Sequence, residues 1–68
     1  MKDIQASITT EGISTYFTMI IPQKECEITL DDKAYHALSH DLIFSREDMQ
    51  YQATESLLVY DFQASFLL

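Results

Sequence analysis

Asp32, His36 and His40 recur at intervals of four, the one spacing in this chain that suggests metal chemistry. On a helix, side chains four residues apart share a face, and imidazoles at i and i+4 suit zinc or a similar ion. A closed site wants a fourth ligand, and the only cysteine, Cys26, falls on the apolar side of its own strand. Without that ligand the three form a solvated polar face. Cys26 itself lies between Glu25 and Glu27. A reactive thiolate needs electropositive neighbours, so this thiol reads as a small buried hydrophobe. The carboxylate pairs Glu25/Glu27 and Asp31/Asp32 could share acid–base work only if apolar surroundings raised one of them, and nothing in the pattern suggests that for either pair. One glycine cannot build a phosphate cradle. The inventory yields no catalytic residue and calls for no cofactor, so a non-enzymatic protein is the expectation.

The elements that must position these side chains read as α+β. Ile4, Ala6 and Ile8 alternate with polar residues, the period of a half-buried strand. Thr10-Glu11-Gly12 is the break of a hairpin whose second strand lies within 14–21 and is closed by Pro22. A short strand follows at 25–29. Thr29-Leu30-Asp31-Asp32 then has the form of a capping box, with Asp31 an alternative cap. Ala34, Tyr35, Leu38 and Leu42 fall on one stripe of the helix this predicts over 31–42, with Ala37 at its margin. Residues 45–56 fit two patterns. Ser45-Arg46-Glu47-Asp48 could cap a second helix, but alternation at Met49, Tyr51 and Ala53 favours a strand turned at Thr54-Glu55-Ser56. A long strand is expected over 58–66. The sum is a single domain, 1–68: an antiparallel sheet of four to five strands with one helix packed on one face. Apolar residues such as Tyr16, Ile20, Val59 and Leu67 would be left on the other face, which favours a homodimer.

Eleven Asp and Glu against four Lys and Arg give a formal charge of −7. Phosphate contacts need clustered bases, so direct nucleic-acid binding is not expected. The longest apolar runs, Met19 to Ile21 and Leu57 to Tyr60, are far too short for a membrane-spanning helix. One cysteine and no secretory pattern point to the cytoplasm. Glu25, Glu27, Asp31 and Asp32, with Glu47 and Asp48, are the candidate contact residues for a larger, basic protein, selected by charge complementarity.

In size and charge the chain is similar to small acidic phage proteins that block restriction or CRISPR enzymes, and the leading expectation is an inhibitor or modulator of that phage- or plasmid-borne type. Residues 25–35, Glu25-Cys26-Glu27-Ile28-Thr29-Leu30-Asp31-Asp32-Lys33-Ala34-Tyr35, resemble the strand-to-helix junction of ribbon-helix-helix regulators and some antitoxins. That resemblance implies a regulatory homodimer, though Glu25 and Glu27 would repel the DNA its ribbon normally reads. An antitoxin-like dimer acting through a sheet edge and hydrophobic surface, or a small subunit of a larger complex, is the alternative.

Overall fold

The computed structural model describes residues 4–62, and every regular element within them is a strand. β1 (Ile4–Ile13), β2 (Phe17–Pro22), β3 (Cys26–Leu30), β4 (Lys33–Ala37), β5 (Ile43–Arg46) and β6 (Gln50–Phe62) form one curled antiparallel half-barrel.

Residues 17–46 make one long hairpin. β3 pairs with β4 and β2 with β5 in a continuous register, with Cys26 opposite Ala37 and Phe17 opposite Arg46. The tip is Asp31-Asp32, whose φ angles of 45° and 70° are left-handed. Two left-handed residues make the hairpin connection whose twist matches its strands, and aspartate tolerates that region better than most residues. Halfway along, Pro22 ends β2 for want of an N–H, and the opposite arm bends through a turn with His40 at φ 68°. There the His40 N–H donates to the Pro22 carbonyl at 2.8 Å, and the Leu38 N–H donates to Asp41 Oδ2 at 2.8 Å.

The expected helix over 31–42 is therefore replaced by a turn, β4 and a second turn, and the α+β class is corrected to all-β. The physical reason lies in Asp31 and Asp32. Short polar residues that cap a helix also stabilise a left-handed turn, and here the second use wins. Cross-strand partners on β3 then claim β4, with Tyr35 opposite Ile28 and Ala37 opposite Cys26. Leu38 and Leu42, two members of the expected helical stripe, are left 54% and 62% exposed.

β6 has three partners. β1 follows it along both halves, β2 lies beside its C-terminal half and β3 beside its N-terminal half. This arrangement forces β6 to bend. Ile13 sits beside Gln50 and Phe17 beside Phe62, yet only residues 14–16 join them. That link reaches roughly 14 Å, whereas a straight 13-residue β6 would hold its ends roughly 40 Å apart. The bend falls where the β1–β6 register slips between Thr9 and Glu11, facing residues 53–56 of β6. The curl is fastened across its ends: the Ser14 and Ser45 hydroxyls bond in the interior, and the Ser14 N–H donates to the Met49 carbonyl at 2.9 Å.

Two further expectations change. β1 and β2 do not form a hairpin; they flank β6, and β1 runs through Gly12 without positive φ. Gly12 is needed for space instead. A Cβ there would lie 2.6 Å from Tyr51 Cζ and closer still to the Tyr51 hydroxyl oxygen. The segment 45–56 does take strand structure from Gln50 onward, but Thr54-Glu55-Ser56 continues β6 rather than turning it. The turn comes earlier, at Glu47-Asp48, with Asp48 at φ 64°.

The concave side holds the core: Ile20, Cys26, Ile28, Ala37, Tyr51, Leu57 and Val59. Each large aliphatic side chain in it contributes about 1.5–3 kcal/mol by leaving water. Ile20 and Val59, expected on an uncovered face, are fully buried here; Tyr16 is 42% exposed, and Leu67 lies outside the described residues. So do the last positions of the strand expected over 58–66.

Candidate functional site

The outer side of the curled sheet divides into two unlike halves at the bend of β6. Partners in an antiparallel pair project to the same face, so the registers sort the side chains. β1 places Ile4, Ala6 and Ile8 opposite Phe62, Tyr60 and Leu58 of β6. Those three in turn face Phe17, Met19 and Ile21 of β2, and Met19 faces Phe44 of β5. Ten apolar side chains on four adjacent strands thus share one outer face. Phe17 and Phe62 stack with centroids 4.5 Å apart and planes 4° from parallel, and Phe44 lies 6.5 Å from Phe17.

β1 shows the outward polarity of this face most clearly. Its apolar residues point outward while Gln5 and Ser7, opposite Asp61 and Val59, take the concave side. A strand whose only neighbour were its own core would have the opposite polarity. Ile8 and Phe44 are 62% and 61% exposed, and no helix among the described residues covers them. Aromatic and Met side chains are enriched at protein interfaces, and large exposed apolar patches are uncommon elsewhere.

The other half is polar. Glu11, Gln52, Thr29 and Ala34 share one row across it, and Glu27 and His36 another. Glu25 and Glu27, chosen from sequence as partner contacts, close on His36: Nε2 meets Glu25 Oε2 at 2.6 Å and Nδ1 meets Glu27 Oε2 at 2.9 Å. Both ring nitrogens donate only in the imidazolium form. The hydrogen bonds to Glu27 and then Glu25 accordingly raise the His36 pKa above its usual value. The side chains stay more than half exposed, so this clasp is screened by water.

Asp31 and Asp32 stand at the hairpin tip, where they rim a cleft of about 430 Å3 together with Glu11, Gly12, Gln50 and Tyr51. Asp31 is also tied into the fold: its N–H donates to the Gln50 carbonyl and its Oδ1 accepts from the Gln50 N–H, both at 2.9 Å. Glu47 and Asp48 occupy the turn before β6, with the Asp48 N–H on the Ser14 carbonyl at 3.0 Å. The six sequence-chosen acids therefore fall into three separate groups: the His36 clasp, the hairpin tip and the β5–β6 turn.

The metal reading of Asp32, His36 and His40 required a helix and falls with it. Asp32 is in one turn, His36 on a strand and His40 in another turn. No group of three or more His, Cys, Asp or Glu among the described residues could hold an ion. Cys26 is buried, and burial raises its thiol pKa, partly offset by a backbone hydrogen bond at Glu55. Among the described residues no helix is long and apolar enough to cross a membrane.

The uncovered apolar face that the sequence suggests at Ile20 and Val59 is built instead from the ten apolar residues of β1, β6, β2 and β5, and its signal stands in plain sequence. Met19-Ile20-Ile21 and Leu57-Leu58-Val59-Tyr60 are apolar without alternation, the mark of strands flanked by apolar surface on both sides. Comparison with known proteins gives no further guide: the chain matches no family, no characterised relative and no solved structure.

Proposed function

We propose that this chain is a non-enzymatic protein-interaction module of the cytoplasm that makes its main contact through the outer apolar face of β1, β6, β2 and β5. The observation that carries the reading is the inverted polarity of β1, which spends Ile4, Ala6 and Ile8 on the outside. Burial of Phe17, Phe44 and Tyr60 against a partner would supply the aromatic anchors on which interface affinity usually rests. The acidic half offers a separate surface on which charge selects, because clustered carboxylates draw in a basic partner faster and hold off an acidic one. Within that half, Glu11, Asp31 and Asp32 around one cleft favour a second reading, an inhibitor that docks on a basic protein by its hairpin tip.

Photo-cross-linking separates the two. With p-benzoylphenylalanine in place of Phe44, protein adducts are expected in the native host; with the same group in place of Asp32, they are not. Adducts from position 32 alone would transfer the function to the acidic tip, and adducts from neither would remove both readings.

A further inference from the structure

Resting on that reading, we infer that the occupant of the apolar face is a second copy of this chain, packed face to face as a two-sheet sandwich. Three features favour a like partner. The first is extent. Four strands about 4.8 Å apart and six residues of about 3.3 Å give a face of roughly 400 Å2. Two copies then bury roughly 700–800 Å2 in projection, the size of a weak, reversible contact rather than of a standard interface. The second is charge. A protein of net charge −7 repels its own kind, but the acids of Glu11, Glu25, Glu27, Asp31 and Asp32 belong to the other half of the molecule or its tip. On the strands of the apolar half the outward charge among the described residues is Arg46, opposite Phe17, with Glu47 and Asp48 beyond it in the β5–β6 turn. Two copies can therefore meet on this face without bringing those carboxylates together. The third is the shortage of core. Among the described residues only seven hydrophobic side chains are buried, and small cores commonly complete their burial by association.

A sandwich of this kind is isologous: each Phe44 and each Ile8 is buried once on either side of the two-fold axis. It leaves the two acidic halves on the outside, so the dimer presents two identical acidic surfaces to any basic partner.

Sedimentation velocity from low micromolar to near-millimolar concentration tests this. The wild type is expected to move reversibly from 7.9 kDa to twice that mass. Ile8→Ser with Phe44→Ser, both exposed enough to leave the fold intact by circular dichroism, should weaken the dimer roughly hundredfold or more. Glu27→Gln, on the polar half, should leave it unchanged. A dimer that survives the double substitution overturns the inference in favour of pairing through a sheet edge. A monomer at every concentration also overturns it. In that case cross-linking of a different protein from position 44 would keep the interaction reading standing, and a face closed to hydrophobic dye would assign its cover to residues 63–68.

Discussion

Replacing Asp32 with proline distinguishes the hairpin from the helix that the sequence suggests. In a helix capped at Asp31, position 32 is the first helical residue, where proline is favoured. In the hairpin, Asp32 has φ 70°, about 135° from the value that proline's ring imposes. The substitution also bars Asp31 from helical geometry of either hand, because the residue before proline is pushed to extended conformations. The turn must therefore open. With it go the five β3–β4 pairings and the Asp31 bonds to Gln50. A loss of at least about 3 kcal/mol follows for a proline set against its preferred backbone. Total stability for 68 residues is roughly 3–10 kcal/mol. The melting temperature should accordingly fall by roughly 12–24 °C, or the protein should not fold. Thermal unfolding followed by circular dichroism reads this directly, with Asp32→Gly as the control that keeps the turn and its stability. An Asp32→Pro variant that melts at or above the wild-type temperature would refute the turn and restore the helix.

Other substitutions probe separate contacts. Gly12→Ala should cost about 1–3 kcal/mol by overpacking the Tyr51 ring, measured by denaturant unfolding; no loss would mean that β1 and Tyr51 are not in this contact. Thr18→Val removes the hydroxyl that donates to Asp61 Oδ1 at 2.7 Å and should cost roughly 1–3 kcal/mol by leaving a half-buried carboxylate without that donor. The His36 clasp makes stability depend on pH in a stated direction. Its folded pKa is raised, so the contribution is fully present below the unfolded value of about 6.5 and is lost as pH rises through the folded value. The difference in melting temperature between wild type and His36→Gln should therefore be largest in mild acid and vanish in mild alkali; a difference that grows with pH would be contrary to the clasp.

What the sequence made legible follows the range of the forces involved. β2 and β3 were readable because alternation and Pro22 act locally. β4 was not, because Asp31-Asp32 serves equally as a helix cap and as a left-handed turn, and only pairing with Ile28 and Cys26 decides between them. The same ambiguity runs through the other turns. Among the described residues the four left-handed ones are all Asp or His: Asp31, Asp32, His40 and Asp48. Part of the acidic excess that suggested a contact patch is thus turn chemistry in a chain with one glycine. The roles of Glu25 and Glu27 were invisible for a related reason, since their partner His36 arrives only through the β3–β4 register. The bend of β6 has no local signal at all; it follows from closure of the 14–16 link.

The most direct measurement of the central claim is a dilution series of amide and methyl NMR spectra of the wild type, in which contact residues declare themselves by position. Shifts that change with concentration are expected at Ile4, Ile8, Phe17, Met19, Phe44 and Tyr60, with Glu27, Thr29, His36 and Gln52 unmoved. Changes centred on those polar residues, or a spectrum with helical shifts over 31–42, would contradict the account.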